Sequence, residues 1–429
     1  MEEENEDLVD RVHNLSDLEL AVLLSLVSHG NCVIGTPEDA AEELVQELGL
    51  ISQDVFGLCH AVVECDSDMT LEDFQTSLLL IAGLSSSAGS SRASLSSRHE
   101  INGQQPHGIA ATDPYRLSQA TPRRSASPDV RSPQMSAGSL ASIPRIANVV
   151  IAKNLNLASE IVQIQALELI RNQRIITTTA MQAAPRPFLL IAVVAAERGF
   201  LWNGGDCTAL HADRGGGTAP HIMAHLNDHF SIGHWHDPDD GFPNIEEREE
   251  KDGKSQRTEV DSDNDSVVRR SEPNFGRYEM PNSFSEADID YLAALSENVR
   301  IDIEVLRYQM NIVAFLRLHR AVAILGPSAS GLSCISPEAT RHLEKLIRCL
   351  APLHRLDYAT PALVALAARK TYLHRIRTVP AGQRNSRPAI VYERSMQWGS
   401  EKAAVEELLD GISPEDVIDD VLASLAPPI

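Results

Sequence analysis

Five histidines lie close together in one short segment of the sequence. His221, His225 and His229 are spaced four residues apart, so a helix would place them on one face. His234 and His236 would share one side of a strand. Imidazole nitrogens are common ligands of zinc and nickel, so this array could hold a transition metal. Because no known metal-ligand spacing is matched, the alternative interpretation is a polar helix face followed by a strand edge.

The segment from Gly35 to Glu42 stands between a predicted strand and a predicted helix, where a phosphate-binding loop would be expected. Such a loop reads G-x-x-x-x-G-K-[ST], and only Gly35 of this pattern is present. Ala40 takes the place of the second glycine, and Ala41 that of the lysine that reaches the phosphates. Glu42 takes the place of the hydroxyl that holds magnesium.

The helix after this segment begins with negative charge. Thr36 is predicted to cap the helix, and Pro37 suits its first position. Glu38, Asp39 and Glu42 then place carboxylates at the helix N-terminus, where an anion would otherwise be attracted. Each close pair of like charges costs about 4 kcal/mol at an effective dielectric of 20, before screening. We therefore expect an ordinary capped helix here, not a working phosphate loop.

The stretch that must position these residues runs from Asn148 to Ala195. It reads as a buried strand to Ala152, a polar turn, a helix from Ala158 to Arg171, and a second apolar strand from Phe188 to Val194. Near-continuous apolar strands separated by a helix are typical of a parallel sheet covered on both faces. One face of the helix is predicted to pack on the sheet through apolar residues at helical spacing: Ile161, Val162, Ile164, Leu167 and Ile170.

This stretch resembles the centre of an AAA+ ATPase of the clade that contains the MoxR proteins and the magnesium-chelatase I subunit. The matching family positions are Asn156, Ala158, Gln163, Leu167 and Glu168. The N-terminus and the His-Trp-His-Asp-Pro segment are also similar to fungal magnesium-chelatase-like proteins. The resemblance implies an α/β fold: a P-loop AAA+ three-layer core with a parallel sheet, followed by a C-terminal all-α lid bundle.

The same resemblance assigns positions to a nucleotide site. The two Walker B carboxylates fall on Lys153 and Asn154, and His229 replaces the arginine of the family's L-L-D-R-F box, which serves a neighbouring subunit's nucleotide. Glu338 replaces the second-sensor arginine of S-P-R-A, with Arg341 one turn later. The degenerate site therefore consists of ten positions: Gly35, Thr36, Ala41, Glu42, Lys153, Asn154, Asn156, His229, Glu338 and Arg341. We assign no catalytic residue and no metal ligand.

Composition bounds the class of protein. The chain has 429 residues, 43% of them hydrophobic, and a formal net charge of −23. This charge argues against a nucleic-acid surface and against adhesion to anionic membranes. The six cysteines form no C-x-x-C pair, and no signal peptide or apolar run of membrane-spanning length is present. We expect a cytoplasmic protein, with a nuclear location left open.

Composition also divides the chain. We predict the N-terminal half of the core over residues 1–84, a disordered Ser/Pro-rich insertion over 85–145, and the C-terminal half of the core over 146–245. An acidic disordered linker is predicted over residues 246–280, a helical lid over 281–380, and a C-terminal extension over 381–429.

The leading hypothesis is a catalytically silent AAA+ fold that serves as a scaffold or binding subunit. Walker A, Walker B, the first sensor, the finger and the second sensor all depart from the family pattern. We expect no cofactor and, as partner, another protein or a homo- or hetero-oligomeric ring. The alternatives are an active magnesium-chelatase-like ATPase, which would use ATP and Mg²⁺ for metal insertion or protein remodelling, and a regulator that binds metal through the histidines.

Overall fold

The structure is a computed structural model, and it describes residues 2–80, 145–177, 181–195, 221–249, 284–322, 335–378 and 411–428. These residues belong to one compact unit. Most of the predicted insertion and acidic linker lie outside the described residues. In chain order the strands are β1 (Cys32–Thr36), β2 (His60–Glu64), β3 (Leu79–Leu80), β4 (Arg145–Ile146), β5 (Val149–Lys153), β6 (Arg174–Ile176), β7 (Met181–Ala183), β8 (Leu189–Ala195) and β9 (Ile232–Trp235).

Five of these strands form a wholly parallel sheet in the order β2-β5-β8-β1-β9. The two predicted central strands are confirmed as β5 and β8, which pair directly, with Ile151 beside Ile191. Both are buried on both faces, as their continuous apolar sequences require. The remaining strands form two antiparallel pairs, β3 with β4 and β6 with β7.

Helices cover both faces of the sheet. In the first half of the chain they are α1 (Glu2–His13), α2 (Asp17–Val27), α3 (Ala41–Leu50), α4 (Leu71–Ser77), α5 (Glu160–Asn172) and α6 (Ala224–Asp228). On one face α2 and α3 pack through residues such as Leu23 and Leu44, and on the other α4, α5 and α6 pack through Phe74, Val162 and Leu226. The result is an α/β structure with a helical layer on each side of the sheet.

Five further helices follow the sheet: α7 (Glu286–Glu297), α8 (Ile303–Leu318), α9 (Pro337–Leu353), α10 (Pro361–Tyr372) and α11 (Pro414–Ser424). Four of these helices begin with a hydroxyl cap: Ser285, Ser336, Thr360 and Ser413 each accept a hydrogen bond from a backbone N–H of the first turn. The side chain of Asp302 caps α8, which therefore begins at Ile303. In the C-terminal extension, α11 contacts its neighbours through an ion pair of Asp419 with Arg369 and through His319 Nε2, which lies 3.0 Å from Asp420 Oδ2.

The packing face predicted for α5 is right in part: Val162, Leu167 and Ile170 pack against the core, whereas the other two predicted residues do not. Val162 and Ala166 are fully buried, whereas Ile161 and Ile164 are 64% and 42% exposed. The reason is Gln163, whose buried amide accepts a hydrogen bond from Met223 N–H and donates to the carbonyls of His221 and Ala158. A buried amide without hydrogen-bond partners destabilises the fold, so these bonds determine which face of α5 is turned toward the sheet. Ile161 and Ile164 remain exposed as a result.

A parallel sheet has two unlike edges. The carboxyl ends of the strands, at Thr36, Glu64, Lys153 and Ala195, define what we call the carboxyl edge. The opposite amino edge carries the turn that enters β9, where Ser231 N–H donates to Asn31 C=O. Among the residues that the structure describes, no helix has the length and apolar character needed to cross a membrane.

Candidate functional site

The segment from Gly35 to Glu42 lies at the carboxyl edge, as predicted, but its local structure differs from the prediction. Thr36 is the last residue of β1, fully buried, and its hydroxyl has no hydrogen-bond partner. A 3₁₀ turn (Glu38–Ala40) separates it from α3, whose first turn has no side-chain cap. The predicted cap by Thr36 is therefore wrong, because the strand holds this residue too far from the helix.

The 3₁₀ turn also fills the space that a phosphate loop keeps open. Ala40 and Ala41 are both 3% exposed, so their methyl groups are packed into the core. A phosphate loop needs glycine here so that backbone N–H groups can surround the phosphate, and it needs lysine to reach out of the loop. Neither requirement is met.

Lys153 lies at the end of β5 and forms the most prominent charged cluster of the carboxyl edge. Its ammonium contacts the Glu42 carboxylate and lies 3.3 Å from Glu64 Oε1. The pairing of β2 with β5 places Glu64 beside Lys153, and the first turn of α3 supplies Glu42. The hydrogen bond with Glu42 is the main cause that raises the pKa of Lys153, with a smaller contribution from Glu64 and against the effect of burial. The ammonium therefore stays charged, and the three side chains together carry one net negative charge.

The turn after β5 is held by a backbone hydrogen bond to the neighbouring strand β8. Asn154 has a left-handed conformation with φ +57°, which asparagine tolerates better than most residues. Its N–H donates to the carbonyl of Val193 on β8 at 2.7 Å. Within the described part of the chain, the buried side-chain oxygen of Asn156 has no partner. The turn leads from β5 toward α5, is bonded to β8, and presents no carboxylate at either of the positions predicted for Walker B.

The other three predicted positions lie at the amino edge, away from this cluster. His229 directly precedes the turn into β9, and Glu338 lies near enough to influence its pKa. Arg341 is 79% exposed and donates to Glu338 at 2.9 Å. Burial is the largest cause that lowers the pKa of His229, so this side chain is neutral at pH 7. The ten positions thus separate into two groups on opposite edges of the sheet.

A buried network beside His229 was not predicted. The Arg375 guanidinium, with its side chain 1% exposed, donates to the carbonyls of Asp228, Phe230 and Thr371, and its Nε lies 3.5 Å from the Asp228 carboxylate. Ser336 donates to the same carboxylate, and His374 Nε2 contacts the Phe230 carbonyl at 3.0 Å. Burial lowers the pKa of Arg375 to about 10, which leaves it charged. These contacts join α6 to α9 and to the end of α10. The motif His374-Arg375-Ile376 was the sequence signal for this network.

The histidine array does not assemble. Since α6 comprises only residues 224–228, His221 and His229 lie outside the helix, and the predicted shared face is wrong. His234 and His236 are buried, and His234 Nδ1 lies 3.0 Å from Lys370 Nζ. Burial, followed by the charge of Lys370, lowers the pKa of His234 to about 3. In the part of the chain that the structure describes, no group of three His, Cys, Asp or Glu side chains could hold a metal ion.

Comparison with known proteins supports the fold and no more. No protein-family model matches the chain, and no curated protein sequence matches it. Among solved structures, the chain is similar to one described as a "putative ATPase" from Cytophaga hutchinsonii, with a TM-score of 0.53 and 13% sequence identity. The match covers 99% of this chain and 94% of the other. At this identity the likeness shows a common fold. The chain therefore shares an ATPase-like α/β fold with a parallel five-stranded sheet.

Proposed function

We propose that this chain is a catalytically silent AAA+ protein, related to the MoxR and magnesium-chelatase I clade, which acts as a scaffold or binding subunit. In this proposal the helices of residues 284–378 correspond to the lid, and the partner is a protein, either a neighbouring subunit of a ring or a client. The protein would need no cofactor and would work in the cytoplasm.

The observation that carries the proposal is the Lys153 cluster. A magnesium triphosphate needs carboxylates at the end of the strand to hold the metal and a free cation to hold the phosphates. Here β5 ends in Lys153, whose ammonium already pairs with the carboxylates of Glu42 and Glu64. Glu38, Asp39 and Glu43 add further carboxylates close by. Among the described residues of the carboxyl edge, a triphosphate would therefore meet net negative charge and no free ammonium.

Titration of the purified full chain with Mg·ATP by calorimetry tests the proposal. We expect no saturable heat at protein concentrations that would detect a dissociation constant of about 100 μM, equivalent to roughly 5.5 kcal/mol of binding free energy. Saturable binding tighter than this would overturn the proposal.

An active ATPase is the competing outcome, and turnover measurements separate the two. Glu160 and Glu168, on α5, are the carboxylates nearest in sequence that could replace the missing Walker B pair. If purified protein hydrolyses ATP, and if Glu160→Gln or Glu168→Gln abolishes that turnover, the chain is an enzyme. We expect no turnover above a protein-free control, with or without these substitutions.

A further inference from the structure

The C-terminal helix α11 is a small unit that docks on two other helices. It packs on α8 and α10. Three apolar side chains of the helix are buried there, each at most 2% exposed: Val417, Ile418 and Val421. A short helix that is held by few buried side chains belongs to the least stable part of a fold, so it can open locally while the rest stays folded.

The surface that receives α11 complements its charge. The helix contains four carboxylates and no basic residue. Asp419 pairs with the guanidinium of Arg369 on α10. At the end of α8, Ala321 N–H donates to His319 Nδ1, so Nε2 of this ring carries the proton and donates to Asp420 at 3.0 Å. We call the surface of α8 and α10 that carries His319 and Arg369 the α11 seat. It is suited to an acidic helix with one apolar side.

The signals that start α11 lie within its own first turn. Ser413 and Asp416 form a capping box, in which Ser413 N–H donates to the Asp416 carboxylate at 2.8 Å and Asp416 N–H donates to Ser413 Oγ at 3.1 Å. Pro414 takes the favoured first position. None of these interactions involves the α11 seat. The helix therefore keeps its start signals when it leaves the seat, and it can be transferred as a unit.

The chain that precedes α11 is long enough to reach another molecule. The described residues stop at Thr378, just after α10, and resume at Gly411, just before α11. Covalent geometry allows residues 379–410 to span up to roughly 100 Å, about three times the diameter of a small domain. The α11 seat of a neighbouring copy thus lies within the reach of the helix.

We propose that α11 of one copy of this chain binds the α11 seat of a second copy, which gives its own α11 in exchange. The exchanged dimer makes the same contacts as the monomer, so no buried side chain and no ion pair is lost. The balance then depends on the local concentration of the tethered helix, which is on the order of millimolar. We expect a monomer at micromolar concentrations and exchange as the concentration approaches the millimolar range. The proposal is independent of whether the carboxyl edge binds nucleotide.

Two complementary charge reversals in the full chain test the exchange. Arg369→Asp and Asp419→Arg each place like charges at the α11 seat of a single chain. Both wild-type side chains are about half exposed, so both variants should fold. In a mixture of the two variants, exchange restores opposite charges at both seats. By sedimentation velocity at about 200 μM of each chain, we expect a heterodimer whose dissociation constant is at least tenfold lower than that of either variant alone.

Glu304→Arg and Arg307→Asp are the matched control. This pair is also solvent-exposed, but both of its residues lie on α8, so exchange of α11 cannot restore it. The control mixture should contain no more dimer than its separate chains. If the control mixture dimerises as strongly as the test mixture, general charge attraction drives the association and the proposal is overturned. It is also overturned if the test mixture stays monomeric.

Cross-linking tests where the helix binds. The background should carry Cys59→Ser, Cys207→Ser and Cys334→Ser, since the other three cysteines are buried. With a short bis-maleimide, we expect Arg369→Cys chains to couple to differently tagged Asp419→Cys chains, because these positions are in contact across the seat. The proposal is overturned if no such heterodimer forms or if Arg369→Cys chains couple equally well to each other.

Discussion

At the scale of single residues, the Lys153 cluster places a positive charge at the position where the sequence comparison predicted a Walker B carboxylate. The Lys153 side chain is 15% exposed, while Glu42 and Glu64 are 63% and 78% exposed. Water therefore still reaches both carboxylates, and the ion pairs belong to the modest class of partly solvated pairs. The cluster changes what the edge can bind more than it changes the stability of the fold.

Substitution of Lys153 should show this difference. Lys153→Met keeps the buried stem and removes the charge, so we expect a loss of at most about 1 kcal/mol in the free energy of unfolding. Lys153→Glu brings a third carboxylate to the same point, and we expect a loss of about 2 kcal/mol that shrinks at high salt. Urea unfolding at low and high sodium chloride measures both.

Arg341→Met serves as the control, because Arg341 is 79% exposed and pairs with Glu338 across one turn. Its effect should stay below about 0.5 kcal/mol. Equal stabilities of the Met and Glu variants of Lys153 would contradict the convergence of Glu42 and Glu64 on this ammonium.

The residues that the sequence could predict at this edge were those fixed by local pattern. Lys153 and Glu42 were found because strand, turn and helix boundaries can be read from nearby residues. Glu64 was missed because only the pairing of β2 with β5 brings it next to Lys153. The role of Arg375 was missed for the same reason, since its partners Asp228 and Phe230 lie far away in the sequence.

At the scale of elements, strands and helix caps were predictable, but the rotation of helices was not. The central strands are continuous apolar runs, and caps such as Ser285 depend on residues three positions apart. By contrast, α5 carries two apolar stripes, and periodicity alone gives no preference between them. Which of the two stripes packs on the sheet depends on Gln163 and its hydrogen bonds to the segment before α6.

Two substitutions on α5 test this account. Gln163→Leu would remove the hydrogen bonds of the buried amide to Met223 N–H and to the His221 carbonyl, so we expect a loss of about 2 kcal/mol in the free energy of unfolding. Ile161→Gln, on the exposed stripe, should change it by less than about 0.5 kcal/mol. Urea unfolding compares the two. A larger loss of stability for Ile161→Gln than for Gln163→Leu would mean that Ile161 packs on the sheet, as the sequence predicted.

At the scale of the whole molecule, several buried histidines make stability depend on pH. Burial is the largest cause that lowers the pKa of His234 and His342, to about 3 in each, and it lowers that of fully buried His374 well below its ordinary value. All three are neutral in the folded chain. In the unfolded chain they take up protons once the pH falls below the ordinary value of about 6.5. Acid therefore favours the unfolded state.

The direction of this pH dependence follows from the lowered pKa values of the three histidines. The contribution of these histidines is complete above about pH 6.5 and is lost progressively as the pH falls toward 3. From pH 7 to pH 5 we expect a loss of about 2 kcal/mol for each histidine in the free energy of unfolding. Urea unfolding at pH 7.5, 6 and 5 measures the slope of the free energy of unfolding against pH.

His342→Gln should flatten that slope, because it removes one group that protonates only on unfolding. His225→Gln is the matched control, because the side chain of His225 is exposed in the folded chain. A stability that stays constant or rises between pH 7 and pH 5 would mean that these imidazoles are solvated in the folded chain. In that case the packing around Asp228, Arg375 and His374 would be looser than the contacts of the Arg375 guanidinium indicate.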